Sequence, residues 1–342
     1  MKLGHLGYGR PPSGSAANRL RLWGARILLA IGTLAVMAAL TELSLRLFFR
    51  ESFSFVEDEK NLMYRYDSEL GWFPIPNSQK VYTGARKISV RHNSEGFRGE
   101  EFVNDREPRI VFLGDSFVWG VDVEAGERFT ERLQRKHPEW SVYNLGVSGY
   151  GTDQEYLLLQ RHYTRFRPQV VFLMYCAEND DSDNCWNVRH GGYYKPYCLL
   201  DGTRMKLAGI PVPRSYRVFC SEHPRLTFPY LGRLAARAYY ALHSPPALHN
   251  PNPTGAILRD LQKYLQSRGT PLVIGLTRSH PHLEEFLQFF KIPYVDLSNP
   301  YRYATFGQHW TPEGHAFVAD RIEKFLLEGR YVGGTVEPSP PE

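Results

Sequence analysis

The sequence is short of acids at its start: no Asp or Glu precedes Glu42, while Lys2, Arg10, Arg19, Arg21 and Arg26 are already in place. It is also poor in sulfur, with four cysteines and five methionines in 342 residues, and no two cysteines are close enough to serve as a zinc-ligand pair. There is no internal repeat, and only one long uncharged apolar run. A net charge of +5 comes without a zinc-finger, helix-turn-helix or aromatic-plus-basic RNA motif, which excludes nucleic acid as the expected partner. What remains is ample: 42% hydrophobic and 14% aromatic residues suffice for a packed core and argue against global disorder.

The single apolar run is "ILLAIGTLAVMAALT", 27–41, and its character resumes in "LSLRLFF" up to Phe49. That length covers the roughly 20 residues a helix needs to cross a bilayer. Glu42 and Arg46 interrupt it four residues apart, the spacing of a pair on one helical face. Basic residues before the run and acids after it (Glu51, Glu57, Asp58, Glu59) predict a cytoplasmic N-terminus 1–26, an anchor over 27–49 and the bulk of the chain outside. A cleaved signal peptide, with "VMA" at 36–38 as the cleavage site, is the competing reading. Either one exports the rest of the chain, and an oxidising compartment predicts one or two disulfides among Cys176, Cys185, Cys198 and Cys220. Three pairings stay open, and ordinary free thiols are the alternative.

Residues 50–105 read as a stalk followed by small β elements. Near-continuous apolar runs at 109–113, 141–145, 169–175, 271–276 and 292–297 then read as parallel strands buried on both faces. Helical segments lie between them. Thr152 and Glu155 have capping-box spacing, Ile257, Leu258, Leu261, Tyr264 and Leu265 share a face, and Thr311–Pro312 starts the last helix. Alternating strands and helices predict an α/β fold: a three-layer α/β/α sandwich on a parallel sheet of about five strands. Residues 181–250 break the rhythm. With nine Lys/Arg against four Asp/Glu, this insertion reads as a lid or binding surface facing an anionic partner. "DDSDN" lacks the glycine and glutamate of a calcium loop, and "HPH" at 280–282 reads as a surface turn, so no metal is expected. The tail "TVEPSPPE" reads as disordered.

Four blocks carry the chemistry. "FLGDSFVWG" puts Ser116 at the carboxyl end of the first strand, and "YNLGVSGYGTDQ" follows the second with Asn144, Gly146 and Gly149. "MYCAENDDSDN" follows the third with Asn179, and "GQHWTPEGH" supplies His309. With "NSEGFRG" (Asn93 to Gly99) upstream, their order resembles the SGNH (GDSL-type) hydrolase superfamily, in particular its bacterial membrane-anchored members. The resemblance runs over about 64–328, most of the insertion excepted, and it implies a flavodoxin-like sheet and a serine esterase without cofactor.

On that reading Ser116 is the nucleophile and His309 its base. The N–H groups of Ser116 and Gly149 and the Asn179 amide form the oxyanion hole. The implied substrate is an acyl ester, of a carbohydrate or another small acyl group, and the implied location is the periplasmic face of the inner membrane. One departure stands out. The family places an Asp two or three residues before the catalytic His, and here those positions hold Gly307 and Phe306. A backbone carbonyl, or Asp296 or Glu313, would have to orient the ring; otherwise activity is degraded. An O-acyltransferase for envelope or exopolysaccharide and a non-catalytic glycan-binding scaffold are the rival functions.

Overall fold

The computed structural model describes residues 16–53, 63–103, 106–189, 192–202, 204–305 and 307–332. The first fifteen residues and the proline-rich tail lie outside them. The chain divides into two compact units, Met1–Ser54 with Glu222–Tyr239, and Phe55–Ser221 with Tyr240–Glu342.

The first unit is built on the helix Ala16–Phe48. Its stretch Asn18–Phe48 has a window of mean hydropathy 2.0 with no residue of that window buried, so by length and composition it can cross a membrane. The two charges that interrupt it have partners. Arg46 pairs with Glu42 at 2.6 Å, and Glu42 also accepts the N–H groups of Tyr230 (3.0 Å) and Leu231 (2.9 Å). Those are orphan donors at the start of the helix Tyr230–His243, which need an acceptor. Arg46 donates to the Phe228 carbonyl at 3.2 Å and lies over the Tyr230 ring. A part of the long insertion is thereby fastened to the apolar helix.

The second unit opens with two antiparallel hairpins, β1 (Tyr64–Asp67) with β2 (Gly71–Pro74) and β3 (Gln79–Thr83) with β4 (Lys87–Arg91). The central sheet comprises β5 (Arg109–Leu113), β6 (Ser141–Asn144), β7 (Val170–Tyr175), β12 (Leu272–Leu276) and β13 (Tyr294–Asp296). Between β7 and β12 the insertion forms two more hairpins, β8 (Val188–Arg189) with β9 (Tyr193–Tyr194) and β10 (Tyr197–Asp201) with β11 (Arg204–Ala208). The sheet order is β13-β12-β7-β5-β6, parallel throughout. This is the flavodoxin-like order, whose direction of winding reverses at β5, between β6 and β7.

Alternation along the strands splits the core in two. Val111 and Leu113 face a cluster with Leu158, Phe166, Leu258 and Leu261 from the helices Thr152–Phe166 and Thr254–Gln266. Ile110 and Phe112 face the opposite cluster with Leu133, Val318 and Ile322 from the helices Phe129–Lys136 and Pro312–Glu328. The three-layer α/β/α sandwich is therefore present, with its five parallel strands.

Two local expectations change. Gln154, not Glu155, closes the start of the helix Thr152–Phe166, its side chain accepting the Gly151 N–H at 3.2 Å. Glu155 is fully buried instead. All four cysteines are free and buried, so the expected disulfides are absent. Buried thiols behave as small apolar groups, and two of these four also donate a weak S–H bond to a nearby oxygen. Cys185 donates to the Asp181 carbonyl at 3.0 Å and Cys176 to the Glu178 carboxylate at 3.4 Å.

Candidate active site

Ser116 leaves β5 through Gly114 and Asp115 and opens the one-turn helix Ser116–Trp119. Asp115 caps that turn: its Oδ1 accepts the Phe117 N–H at 3.0 Å. The end of β6 is stitched to the same turn by Asn144, whose amide donates to the Val118 carbonyl and to the Thr130 hydroxyl, both at 2.8 Å. Asn144 Oδ1 in turn accepts the Gly146 N–H at 3.0 Å, which sets the course of the loop that follows. Gly149 in that loop has φ of +82°, a left-handed conformation that glycine adopts without a Cβ clash. Among the described residues, the N–H groups of Ser116 and Gly149 have no hydrogen-bond partner.

His309 comes from the loop between β13 and the last helix. Its Nε2 lies 2.9 Å from Ser116 Oγ, the distance of a hydrogen bond across 193 positions of sequence. The ring packs against Phe117, and the neighbouring Trp310 indole lies edge-on to the same phenyl ring. Burial strips the imidazole of water and lowers its pKa to about 4; Glu178 opposes that shift and Arg302 reinforces it. The ring is therefore neutral at pH 7 and able to accept a proton at Nε2. The serine hydroxyl has a second acceptor in Asp115 Oδ2 at 3.2 Å. Burial raises the Asp115 pKa, because the charged carboxylate loses water.

Asn179 stands at the end of the third block, but its amide is not open. Nδ2 donates to Asp183 Oδ2 at 2.9 Å and to Asp115 Oδ2 at 3.3 Å, while Oδ1 is buried without a partner. The reason is electrostatic. Asp115, Asp153, Glu155, Asp180 and Asp183 are all buried nearby and compete for donors, and Asp183 is pushed up to about 7 by burial. Lys195 answers part of that demand: fully buried, it is bonded to Asp153 and donates to the Asp183 carbonyl at 3.2 Å. Among the described residues, no group of three or more His, Cys, Asp or Glu side chains is arranged to hold a metal ion.

Neither acid offered by the sequence to orient His309 does so. Asp296 is exposed and accepts the N–H and hydroxyl of Ser298 (2.9 and 2.5 Å), closing a turn after β13. Glu313 accepts the Thr311 hydroxyl at 2.7 Å at the start of the last helix. The carboxylate opposite His309 Nδ1 belongs to Asp122, whose Oδ2 is 3.9 Å away. Sequence reasoning passed over Asp122. Its signal is weak: an acid between Val121 and Val123, six positions after the serine, where the flanking valines imply burial.

A model of the GDSL-like lipase/acylhydrolase family matches residues 110–322. No curated protein matches the chain. Among solved structures, the psychrotrophic esterase EstA from a Pseudoalteromonas species is 10% identical, with 66% of this chain and 99% of that one covered at a TM-score of 0.37. A lipase/acylhydrolase from Enterococcus faecalis is 13% identical, with 67% and 100% covered at 0.37. A two-domain esterase active on acetylated mannans is 12% identical, with 68% and 52% covered at 0.35. The family model spans well over half of the chain and takes in both the strand that delivers Ser116 and the loop that delivers His309: the protein belongs to the GDSL-like lipase/acylhydrolase family and is a hydrolase of ester bonds.

Proposed function

We propose that the protein is a membrane-anchored, extracytoplasmic serine esterase that removes an O-acyl group, from a carbohydrate or another small acyl ester. The observation that carries the mechanism is the 2.9 Å contact between Ser116 Oγ and His309 Nε2. Ser116 Oγ attacks the ester carbonyl carbon while its proton passes to Nε2. The negative charge moves to the carbonyl oxygen, held by the N–H groups of Ser116 and Gly149. Asn179 adds a third donor once its longer bond to Asp115 is given up. The tetrahedral adduct collapses, and the alcohol leaves with the proton from His309. Water then adds to the acyl-serine, giving its proton to Nε2, and a second collapse releases the acid and restores the hydroxyl.

Anchoring rests on the apolar helix Ala16–Phe48 and on the basic residues ahead of it. The nine Lys/Arg against four Asp/Glu of the insertion favour an anionic substrate or an anionic surface beside it. The test is a panel of acyl esters, p-nitrophenyl esters and O-acetylated glycans, incubated with the full chain in detergent. Hydrolysis that falls about 10⁴-fold or more in Ser116→Ala is the expected result. Hydrolysis that survives this substitution refutes the assignment.

A further inference from the structure

Resting on the Ser116–His309 pair proposed above, we infer that Asp122, on the loop behind the nucleophile, is the positioning residue that orients His309 in place of the absent acid ahead of it. The geometry on both sides of the contact supports this. For Nε2 to accept the serine proton, the neutral ring must carry its own proton on Nδ1, and an acceptor opposite Nδ1 fixes that tautomer. Nδ1 of His309 is buried and has no hydrogen-bond partner. Asp122 Oδ2 faces it at 3.9 Å, with the aspartate side chain 4% and the histidine side chain 13% exposed. That separation is too long for a hydrogen bond at rest. Catalytic contacts of this kind commonly tighten only when the ring becomes charged.

The Asp122 carboxylate is held by other parts of the chain. Ala85 N–H donates to Oδ1 at 2.7 Å from the turn between β3 and β4, and the Arg86 N–H donates to the same carboxylate. Gly84 leaves the space: a Cβ there would lie 2.1 Å from Asp122 Oδ1. The loop itself is clamped by Arg98, from the "NSEGFRG" stretch. Its guanidinium donates to the carbonyls of Trp119 (3.0 Å), Gly120 and Val123 (2.6 Å) and stacks on the Trp119 indole. Asp122 takes φ of +66°, an uncommon conformation for a residue with a side chain, within this clamp. Tyr303 joins the two loops, its hydroxyl donating to the Asp122 carbonyl at 3.4 Å and its N–H to the His309 carbonyl at 2.9 Å.

The vacated position also makes sense. Gly307 has φ of +84°, and a Cβ there would lie 2.5 Å from His309 Cε1, so the ring occupies the space a side chain at 307 would need. Glu178 is the acid whose charge favours protonation of the ring. It is committed to Arg302 (2.6 Å), Arg278 (2.7 Å) and the Thr277 hydroxyl (2.6 Å). The sequence motif upstream of the nucleophile thus gains a purpose: it fixes the loop that carries the orienting carboxylate.

The test compares Asp122→Asn, Asp296→Asn, Glu313→Gln and Ser116→Ala in the full chain, with p-nitrophenyl acetate across pH. Asp122→Asn keeps an acceptor for the Ala85 N–H. It is expected to lower kcat about 10²–10⁴-fold while KM changes less than about threefold. With the negative charge gone, the acid limb of kcat/KM moves to lower pH. Asp296→Asn and Glu313→Gln stay within about twofold of wild type. In the phosphonylated wild-type enzyme, at a pH low enough to charge the imidazole, the His309 Nδ1 proton should resonate far downfield, and this measurement requires no Asp122 variant to fold. An inactive Ser116→Ala beside an Asp122→Asn enzyme with unaltered kcat and pH profile overturns the inference and leaves a Ser–His dyad. An active Ser116→Ala overturns the nucleophile assignment instead.

Discussion

His309 carries the clearest residue-scale prediction. An ordinary imidazole titrates near 6.5, but this one is held at about 4 by loss of water around the ring. A base works only while unprotonated, so activity is lost as pH falls through the folded pKa. The acid limb of kcat/KM is therefore expected near pH 4, with full activity retained between pH 5.5 and 6.5. Measured initial rates over that range check it, and a limb centred at 6.5 contradicts it. Ser116, Gly149 and His309 stood out in the sequence because each lies in a short block with its own residue signature, and two of those blocks meet in the contact between Ser116 and His309. Asp122 was not, because its role depends on hydrogen bonds from residues 37 positions upstream. The state of Asn179 was equally hidden, since its amide answers buried acids that only folding assembles.

At the scale of elements, all five sheet strands could be read from apolar runs, and their ends shift by no more than two residues. The winding order followed from family resemblance, because strand character alone does not say which neighbours pair. What escaped was the polar interior between the insertion and the sheet. Lys195 in the insertion looks like one more surface cation, yet it and Asp153 are both fully buried and paired. Breaking a buried pair on one side strands a charge in a dry site. Lys195→Met is expected to cost about 3–5 kcal/mol in denaturant unfolding, and Lys195→Met with Asp153→Leu to recover part of that loss. A single variant as stable as wild type would mean that Asp153 does not need its partner.

For the whole molecule, the two charges that seemed to spoil the apolar helix turn out to hold a second segment of chain. Glu42 and Arg46 bind the backbone at Phe228, Tyr230 and Leu231, nearly two hundred positions away. Both charges lie after residue 38, so they stay in the chain whether the apolar helix is kept whole or cut there. An uncleaved anchor predicts that the mature protein keeps residues 27–49, stays in the membrane pellet after alkaline carbonate washing, and is digested from the outer face only. Release into the wash, with an N-terminus beginning just after residue 38, would establish the cleaved form. The free thiols belong to the same scale: denaturing alkylation without reductant is expected to modify all four cysteines.

The pairing of Ser116 with His309 is tested most directly by mapping a fluorophosphonate adduct by peptide mass spectrometry in wild type and in His309→Ala. The adduct is predicted on Ser116 alone, with labelling lost or greatly slowed in the variant. An adduct on another residue, or labelling of Ser116 at the same rate without the imidazole, would contradict it.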